Sequence, residues 1–234
     1  FSPGRNWEQI RTTIAYNDSN VKIAGHHTGL LTGPDGGTHQ ILEDIALMRA
    51  LPNMKVVVPC DSVEAKKAAI AVSKIWGPFY VRLAREETPV MTTEETPFVP
   101  GKAAVLWESK KPQVLIVGAG PILHNALLAA KELDESGIGS IVLNCHTIKP
   151  LDEEAIIQKA KKCGAVVTVE EHSVIGGLGG AVSELLAQKC PLPIEFVGTK
   201  DIFGESGTPE ELYAKYGLTA KDVKLAAKKA IKRK

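Results

Sequence analysis

The stretch GHHTGLLTGPDGGTHQILED, residues 25–44, joins a short apolar run to an amphipathic one. Residues 21–24 predict a strand, and residues 39–50 predict a helix with Ile41, Leu42, Ile45 and Met48 on one face. The loop between them therefore leaves the carboxyl end of a strand, where α/β proteins hold binding and catalytic side chains. The stretch predicts an α/β fold with a candidate site at this loop.

The composition of the loop favours tight turns and a polar surface. Gly33, Gly36 and Gly37 permit backbone angles that would strain other residues, and Thr38 is predicted to cap the following helix. An anion there would meet unpaired N–H groups. Three of the six histidines also lie in the loop. The alternative is a plain turn-rich loop with solvated histidines.

Two more strands are predicted after this loop, at residues 54–59 and 79–83, with a helix at 62–75 between them. Asp61 and Glu64 have the spacing of a capping box for that helix. Strands that alternate with helices form parallel sheets with right-handed crossovers. His27, Asp61 and Arg85 each follow one strand, so they are expected at the same edge of the sheet.

A linker and a second α/β unit complete the chain. Residues 86–101 are polar, contain prolines and lack periodicity, which is typical of a linker. We predict one unit in residues 1–95 and another in 96–234. The other predicted strands are 114–117, 141–144, 165–169 and 194–197, and the other predicted helices are 5–16, 122–135, 153–162, 178–188, 209–215 and 220–231.

Composition excludes several classes of protein. The 234 residues are 44% hydrophobic and 24% charged with a net charge of +1, which fits a globular chain and argues against a nucleic-acid partner. The four cysteines form no C-x-x-C pair, so neither a disulfide framework nor a zinc site is predicted. No apolar run approaches the roughly 18 residues of a membrane span. We therefore expect no membrane partner and a cytoplasmic location.

Two glycine-containing stretches resemble binding motifs only superficially. The dinucleotide-like run at 117–123 has Leu123 in place of the third glycine, and Asn144 in place of the ribose-binding acid. The run at 176–180 could hold an anion at a helix start. Tight packing or a contact between the two units is the interpretation we favour for it.

Four separated motifs are GPDGGTHQ at 33–40, LPNM at 51–54 with PCD at 59–61, HTIKPLD at 146–152, and VEEH at 169–172 with the glycine run after it. Together they resemble the carboxyl-terminal part of transketolase. The match follows family order and spans essentially the whole chain. It implies the later part of a pyrimidine-binding domain, followed by a transketolase C-terminal α/β domain with a mostly parallel sheet.

The resemblance implies a thiamine diphosphate enzyme that moves a two-carbon ketol unit from a ketose phosphate to an aldose phosphate. The family's activating glutamate, its diphosphate contacts and its Mg²⁺ or Ca²⁺ ligands belong to sequence before Phe1. The chain also begins with a helical pattern and no preceding strand. We therefore expect it to need an N-terminal transketolase section or subunit, in a homodimer or heterotetramer, and to be inactive alone.

The resemblance also assigns roles residue by residue. Phe1 matches an aromatic residue against the cofactor's pyrimidine ring, a contact that its quadrupole favours. His27 and Arg85 match residues that bind the substrate phosphate, and a guanidinium can pair with two phosphate oxygens. Asp35 matches an acceptor for a sugar hydroxyl, and His39 matches a catalytic histidine that bonds sugar oxygens near the reacting carbon. No metal ligand is assigned.

Some positions depart from the family pattern or fall outside the expected site. Pro34 stands where an acidic residue is common, and His26 stands where Ser or Thr is usual. We interpret His26 as structural or solvated. His146 and His172 lie in the second unit, where a capping or interface role is expected.

Three alternative functions remain open at this point. One is 1-deoxyxylulose-5-phosphate synthase, which has a similar loop motif, and a more distant one is the β subunit of a 2-oxo-acid dehydrogenase decarboxylase. The third is a non-catalytic assembly module whose only role is subunit contact. The pair of His27 and Arg85 favours a site for a sugar phosphate over a site for pyruvate alone.

Overall fold

The computed structural model describes all 234 residues and contains nine strands and eight α-helices. The strands are β1 (Lys22–Gly25), β2 (Lys55–Val57), β3 (Phe79–Arg82), β4 (Ala104–Glu108), β5 (Pro112–Gly118), β6 (Gly139–Asn144), β7 (Thr147–Lys149), β8 (Val166–Ser173) and β9 (Ile194–Thr199). The helices are α1 (Trp7–Gln9, continued by a π-helix at Ile10–Ala15), α2 (Asp44–Arg49), α3 (Ser62–Ser73), α4 (Leu123–Glu135), α5 (Glu153–Cys163), α6 (Leu178–Lys189), α7 (Pro209–Tyr216) and α8 (Ala220–Ile231). A 3₁₀-helix at Leu30–Asp35 lies between β1 and α2.

The strands form two mostly parallel sheets, as the sequence predicts. The first has the order β1-β3-β2-β7, in which only β7 is antiparallel to its neighbour. The second has the order β4-β6-β5-β8-β9, in which only β4 is antiparallel. The predicted α/β class is therefore confirmed, and residues 86–101 contain no helix or strand.

Strands β4 and β7 are absent from the sequence prediction. β7 has three residues, too few for alternation to reveal it, and β4 is a partly exposed edge strand. β7 belongs to the second half of the chain but pairs with β2, and Lys149 Nζ donates to the carbonyls of Arg49 (3.0 Å) and Leu51 (2.5 Å). The two units thus share a sheet edge.

The two units also share an apolar core. One cluster of 25 buried residues contains Met48 and Val56 from the first unit together with Leu115, Leu143 and Leu178 from the second. Burying apolar side chains stabilises by roughly 1.5–3 kcal/mol for each large residue, so this shared cluster is a main source of adhesion between the units. A second cluster of 21 residues packs α4 and α8 on the second sheet.

The helix predicted at 39–50 is wrong at its start, because α2 begins only at Asp44. The carbonyls of Ile41 and Leu42 accept hydrogen bonds from the N–H groups of Gly29 (3.1 Å) and Ser173 (2.7 Å), so they are not available to a helix. Thr38 accordingly caps no helix, and no helix N-terminus is available there to meet an anion. Long-range hydrogen bonds override the local helical pattern.

The α3 helix begins as predicted, and its N-cap residue, Asp61, also binds the linker. One Asp61 oxygen, Oδ1, accepts from the Glu64 N–H (2.8 Å) and the Thr92 hydroxyl (2.8 Å). The other, Oδ2, accepts from the N–H groups of Met91 (2.7 Å) and Thr92 (2.6 Å) in the linker. Burial opposes the charged form, but these bonds lower the pKa of Asp61 overall. The bonds stabilise the fold above the unfolded-state pKa of about 3.9, and this stability is lost as the pH falls through the lower folded-state pKa.

The cysteines are free, and Cys60, Cys145 and Cys163 are buried. None of the helices is long and apolar enough to cross a membrane.

Replacing Asp61 should loosen the linker. In Asp61→Asn one of the two accepting oxygens becomes an NH2 group, which cannot accept from the N–H donors around it. The free energy of unfolding should therefore fall by about 2–3 kcal/mol at neutral pH. The difference from the parent should shrink below about pH 4. Urea unfolding at several pH values measures this. Asp134→Asn, which changes an exposed carboxylate on α4, is the control; equal unfolding of the two variants at pH 7 would contradict the assignment.

Candidate active site

Three parallel strands end side by side at the candidate site. Gly25 of β1 aligns with Arg82 of β3, and Val57 of β2 aligns with Val81 of β3. His27, Asp61 and Arg85 follow these strand ends, so the structure confirms that they share one edge. The Asp61 carboxylate is occupied by internal hydrogen bonds, which leaves the other two as candidates for substrate.

Arg85 and Asp35 form an ion pair at this edge. Arg85 Nη1 lies 2.9 Å from Asp35 Oδ2 and also donates to the Thr32 carbonyl (3.0 Å), while Nε lies 3.6 Å from Glu86 Oε1. The side chains of Arg85 and Asp35 are 33% and 39% exposed. Partly exposed pairs contribute little, with a median of about 0–1 kcal/mol. An anionic ligand can therefore replace the Asp35 carboxylate at low cost.

Thr32 links His27 to Arg85. Its hydroxyl donates to the His27 carbonyl (2.8 Å), and its own carbonyl accepts from Arg85. His27 is exposed and has a φ of 57°, an uncommon left-handed conformation for a residue other than glycine. The His26 and His27 rings lie edge to face with their centroids 6.5 Å apart. Thr32 thus holds the backbone of His27 beside the guanidinium.

Phe1 and His39 form a second pair at the site. Their ring centroids are 4.8 Å apart with an angle of 62° between the planes. The Arg5 guanidinium lies 4.0 Å from the centroid of the Phe1 ring. Phe1 is nevertheless 53% exposed, so its ring is available for stacking. The five predicted residues form two contacting pairs, Asp35 with Arg85 and Phe1 with His39, and His27 is linked to Arg85 through Thr32.

A buried charge cluster lies beneath the loop, where the two units meet. Arg82 Nε donates to Asp44 Oδ2 (2.9 Å), which also accepts from the Tyr80 hydroxyl (2.8 Å). Arg82 Nη2 donates to the Glu171 carbonyl (2.9 Å) of the second unit. Although burial opposes its charged form, Asp44 and Glu171 raise the pKa of Arg82. Arg82 stays charged and joins the units through hydrogen bonds.

Glu171 supports the loop directly. Its Oε1 accepts a 2.8 Å hydrogen bond from the buried N–H of Leu31, in the first turn of the 3₁₀-helix. Burial raises the pKa of Glu171 despite this bond and the nearby Arg82. A Cβ at Gly29, where φ is 74°, would lie 2.4 Å from Glu171 Oε1, so only glycine fits there. The sequence analysis missed this role, although Glu171 lies in one of the four motifs.

The neighbouring Glu170 explains the glycine run. Its carboxylate accepts from the N–H groups of Leu178 (2.7 Å) and Gly179 (2.8 Å) at the start of α6. The protein's own carboxylate thus occupies the position that an external anion would take. A Cβ at Gly176 would lie 2.9 Å from the Ala46 side chain in the first unit. The run therefore serves packing and contact between the units, the interpretation favoured above.

The two histidines of the second unit also make local contacts. His172 Nε2 accepts from the Ala46 N–H (3.3 Å), and its Nδ1 lies 2.7 Å from the Ser173 carbonyl. The His146 ring stacks on Phe98 of the linker, with centroids 4.2 Å apart. Both therefore lie at contacts between segments.

Comparisons with known proteins agree with this arrangement. The family model of the transketolase pyrimidine-binding domain matches residues 1–91, and that of the transketolase C-terminal domain matches residues 101–223. The chain belongs to the transketolase family. Together the two matches cover most of its length and follow the order expected for the C-terminal part of a transketolase-type enzyme.

Two curated relatives and one solved structure are similar over the whole chain. A 6-deoxy-6-sulfo-D-fructose transketolase subunit of Clostridium sp. (strain MSTE9) is 43% identical, and the alignment covers 72% of that protein. A subunit of the apulose-4-phosphate transketolase of Phocaeicola vulgatus is 37% identical, with 74% of its length covered. A structure described as a split gene transketolase, inactive beta4 tetramer, superposes with a TM-score of 0.93 at 46% identity and 74% coverage of that chain.

Two arginines only three residues apart should behave very differently on substitution. Arg82→Met leaves Asp44 buried without its cation and should lower the free energy of unfolding by about 3–5 kcal/mol. Arg85→Met removes a partly exposed pair and should change it by less than about 1 kcal/mol. Urea unfolding monitored by circular dichroism distinguishes them. Adding Asp44→Leu to Arg82→Met should recover part of the loss; similar small effects of both single substitutions would refute the buried-pair assignment.

Proposed function

We propose that this chain is the C-terminal section or subunit of a split transketolase and that residues 26–40 with Arg85 bind its sugar substrate. The observation that carries the proposal is the ion pair of Arg85 with Asp35 on a loop at the carboxyl edge of a parallel sheet. The guanidinium already holds one carboxylate there. A phosphate offers the guanidinium more oxygens and more negative charge than a carboxylate does.

Each assigned side chain then has a defined part in ketol transfer. Arg85 and His27 bind the terminal anionic group of the sugar. Asp35, once separated from Arg85, accepts a hydrogen bond from a sugar hydroxyl. His39 offers one donor and one acceptor to oxygens near the reacting carbon. Binding of the anionic group thus frees the carboxylate that recognises the hydroxyl.

The proposed substrate is a ketose with a terminal phosphate or sulfonate. One relative is named for 6-deoxy-6-sulfo-D-fructose and another for apulose 4-phosphate. These sugars differ in their carbon chains but share a strongly acidic group. A guanidinium and an imidazole suit either acid, because both acids present several oxygens to donors.

Phe1 fits the thiamine diphosphate that the family uses. The ring is half exposed, Arg5 covers part of it, and His39 packs against it, so a pyrimidine can stack on the remaining surface. When bound, the cofactor supplies the nucleophilic carbon that accepts the two-carbon unit. We propose that Phe1 orients the pyrimidine ring while an N-terminal section holds the diphosphate with Mg²⁺ or Ca²⁺.

We further propose that the active enzyme combines this chain with an N-terminal transketolase section, as a homodimer or heterotetramer. A structure similar over the whole chain is described as an inactive tetramer of one kind of subunit. That description supports the expectation that the chain is inactive alone. The domain boundary that we propose near residue 95 falls between the two matched ranges, 1–91 and 101–223.

Three substrate mixtures test this function. The chain and its N-terminal partner are incubated with thiamine diphosphate and Mg²⁺. Xylulose 5-phosphate with ribose 5-phosphate tests ketol transfer, and 6-deoxy-6-sulfofructose with glyceraldehyde 3-phosphate tests the sulfonate arm. Pyruvate with glyceraldehyde 3-phosphate, a third mixture, tests synthase chemistry. Turnover only in the third mixture would make the chain part of a 1-deoxyxylulose-5-phosphate synthase, and turnover in none would favour an assembly module.

Arg85→Ala in the assembled enzyme should raise KM for acidic sugars far more than for uncharged ones. Only acidic substrates lose a charge-assisted bond, so the effect is about ten- to a hundredfold. Initial rates with phosphorylated and unphosphorylated ketoses measure it. Arg11→Ala, on an exposed position that makes no ion pair in the structure, is the matched control. Equal losses on both substrate types would remove Arg85 from the anion site.

Asp35→Ala should weaken discrimination between sugars of opposite configuration at the contacted carbon. The reason is that we assign its carboxylate to accept a hydrogen bond from a sugar hydroxyl and not to bind a metal ion. Affinity for thiamine diphosphate, measured by calorimetry with Mg²⁺, should stay at the parent value. A loss of metal-dependent cofactor binding would contradict the assignment of Asp35 to the substrate.

A further inference from the structure

The loop that carries Asp35 and His39 lies directly on a segment of the C-terminal unit, residues 204–207. A Cβ at Gly37 would lie 2.4 Å from the Gly204 carbonyl oxygen, and a Cβ at Gly36 would lie 2.7 Å from the Ser206 hydroxyl. Real Cβ atoms do not approach other atoms so closely. The two backbones are therefore in contact, with no space for larger side chains.

One side chain joins the two backbones at this contact. Gln40 is 4% exposed, and its Nε2 donates both to the Gly33 carbonyl (2.9 Å) and to the Glu205 carbonyl (3.0 Å). Its Oε1 is buried without a hydrogen-bond partner. The carboxamide thus acts as a double donor. A carboxylate of the same shape has no hydrogen to offer either carbonyl.

The two bonds hold both ends of the segment that we assign to substrate binding. Gly33 and Gln40 are the first and last residues of GPDGGTHQ, so the bond between them closes the motif into a loop. The bond to Glu205 fixes that loop on the C-terminal unit. Asp35 and His39 lie between the two ends and are themselves exposed. Asp35 pairs with Arg85 and His39 packs against Phe1, and the closure fixes the backbone that carries both side chains.

We propose that Gln40 is a positioning residue for sugar recognition. It fixes the loop so that Asp35 faces Arg85 and His39 faces Phe1, and it makes the C-terminal unit a support for the substrate site. The inference rests on the proposed function for its kinetic consequence. Its structural part, in which Gln40 donates two hydrogen bonds that fix the loop, is independent of which sugar the enzyme uses.

Two variants and a matched control test the proposal. Gln40→Met keeps the length and removes both donors, and Gln40→Glu places a carboxylate against two carbonyl oxygens. Lys149→Met is the control, because Lys149 Nζ also bonds two carbonyls across the unit junction. It lies on β7, at the opposite end of the first sheet from β1, which leads into the loop.

In the assembled enzyme, Gln40→Met should raise KM for the ketose about tenfold or more, because two hydrogen bonds that fix the loop are lost. Gln40→Glu should be worse, and Lys149→Met should leave KM unchanged. Thiamine diphosphate affinity should stay at the parent value in all three. A parallel loss of cofactor affinity, or equal KM values in Gln40→Met and Lys149→Met, would overturn the positioning role.

Hydrogen exchange in the chain by itself separates this inference from the proposed function. Gln40→Met should speed amide exchange across residues 33–39 while exchange in α4 and α8 stays at the parent rate. If the parent assembly transfers no ketol unit, the proposed function fails, but the exchange measurement still tests whether Gln40 fixes the loop. Unchanged exchange across 33–39 in Gln40→Met would overturn the inference.

Discussion

The Arg82–Asp44 ion pair is the interaction on which the rest of the structure depends. Removing two charges from water is expensive, and further hydrogen bonds to the pair offset part of that cost, although Asp44 Oδ1 is buried without a partner. Here Tyr80 supplies one bond and the Glu171 backbone supplies another. The Glu171 carbonyl comes from the second unit. The Arg82 guanidinium therefore has both of its acceptors, Asp44 Oδ2 and the Glu171 carbonyl, only when the two units are docked.

The same junction supports the loop of residues 26–40, to which we assign substrate binding. The Glu171 carbonyl binds Arg82 while its carboxylate binds the Leu31 N–H, so one residue connects the buried pair to the 3₁₀-helix. The side chains assigned to substrate are exposed or partly exposed, and the groups that hold their loop are buried. This division suits a binding site, because ligand contacts need access while their placement needs rigid, packed supports.

Local patterns in the sequence predicted most of the fold. Helix α8 has the predicted bounds, since its apolar periodicity and end residues are local signals. The start of α2 and the strand β7 were not predictable in this way. In α2 the deciding bonds come from Gly29 and Ser173, one of them over a hundred residues distant in sequence. β7 exists because β2 offers it a free edge.

The candidate site was predictable only in part. The family resemblance identified Asp35, Arg85 and His39, and the structure brings the first two into contact. It gave Gln40 and Glu171 no role, although both lie within matched motifs. Their function depends on carbonyl and N–H groups far away in the sequence, which no local pattern displays. The only signal in the sequence is that Gln40 is a polar residue at the end of a glycine-rich motif.

The central claim is that the second unit holds the loop of residues 26–40 through the buried junction. Exchange of the Leu31 amide hydrogen at increasing urea concentrations tests it most directly. If Glu171 holds this N–H in a core that spans both units, exchange requires global unfolding, and its free energy falls with urea as steeply as that of the core strand β5. Exchange of Leu31 that is insensitive to urea and as fast as that of exposed Thr38 would contradict the claim.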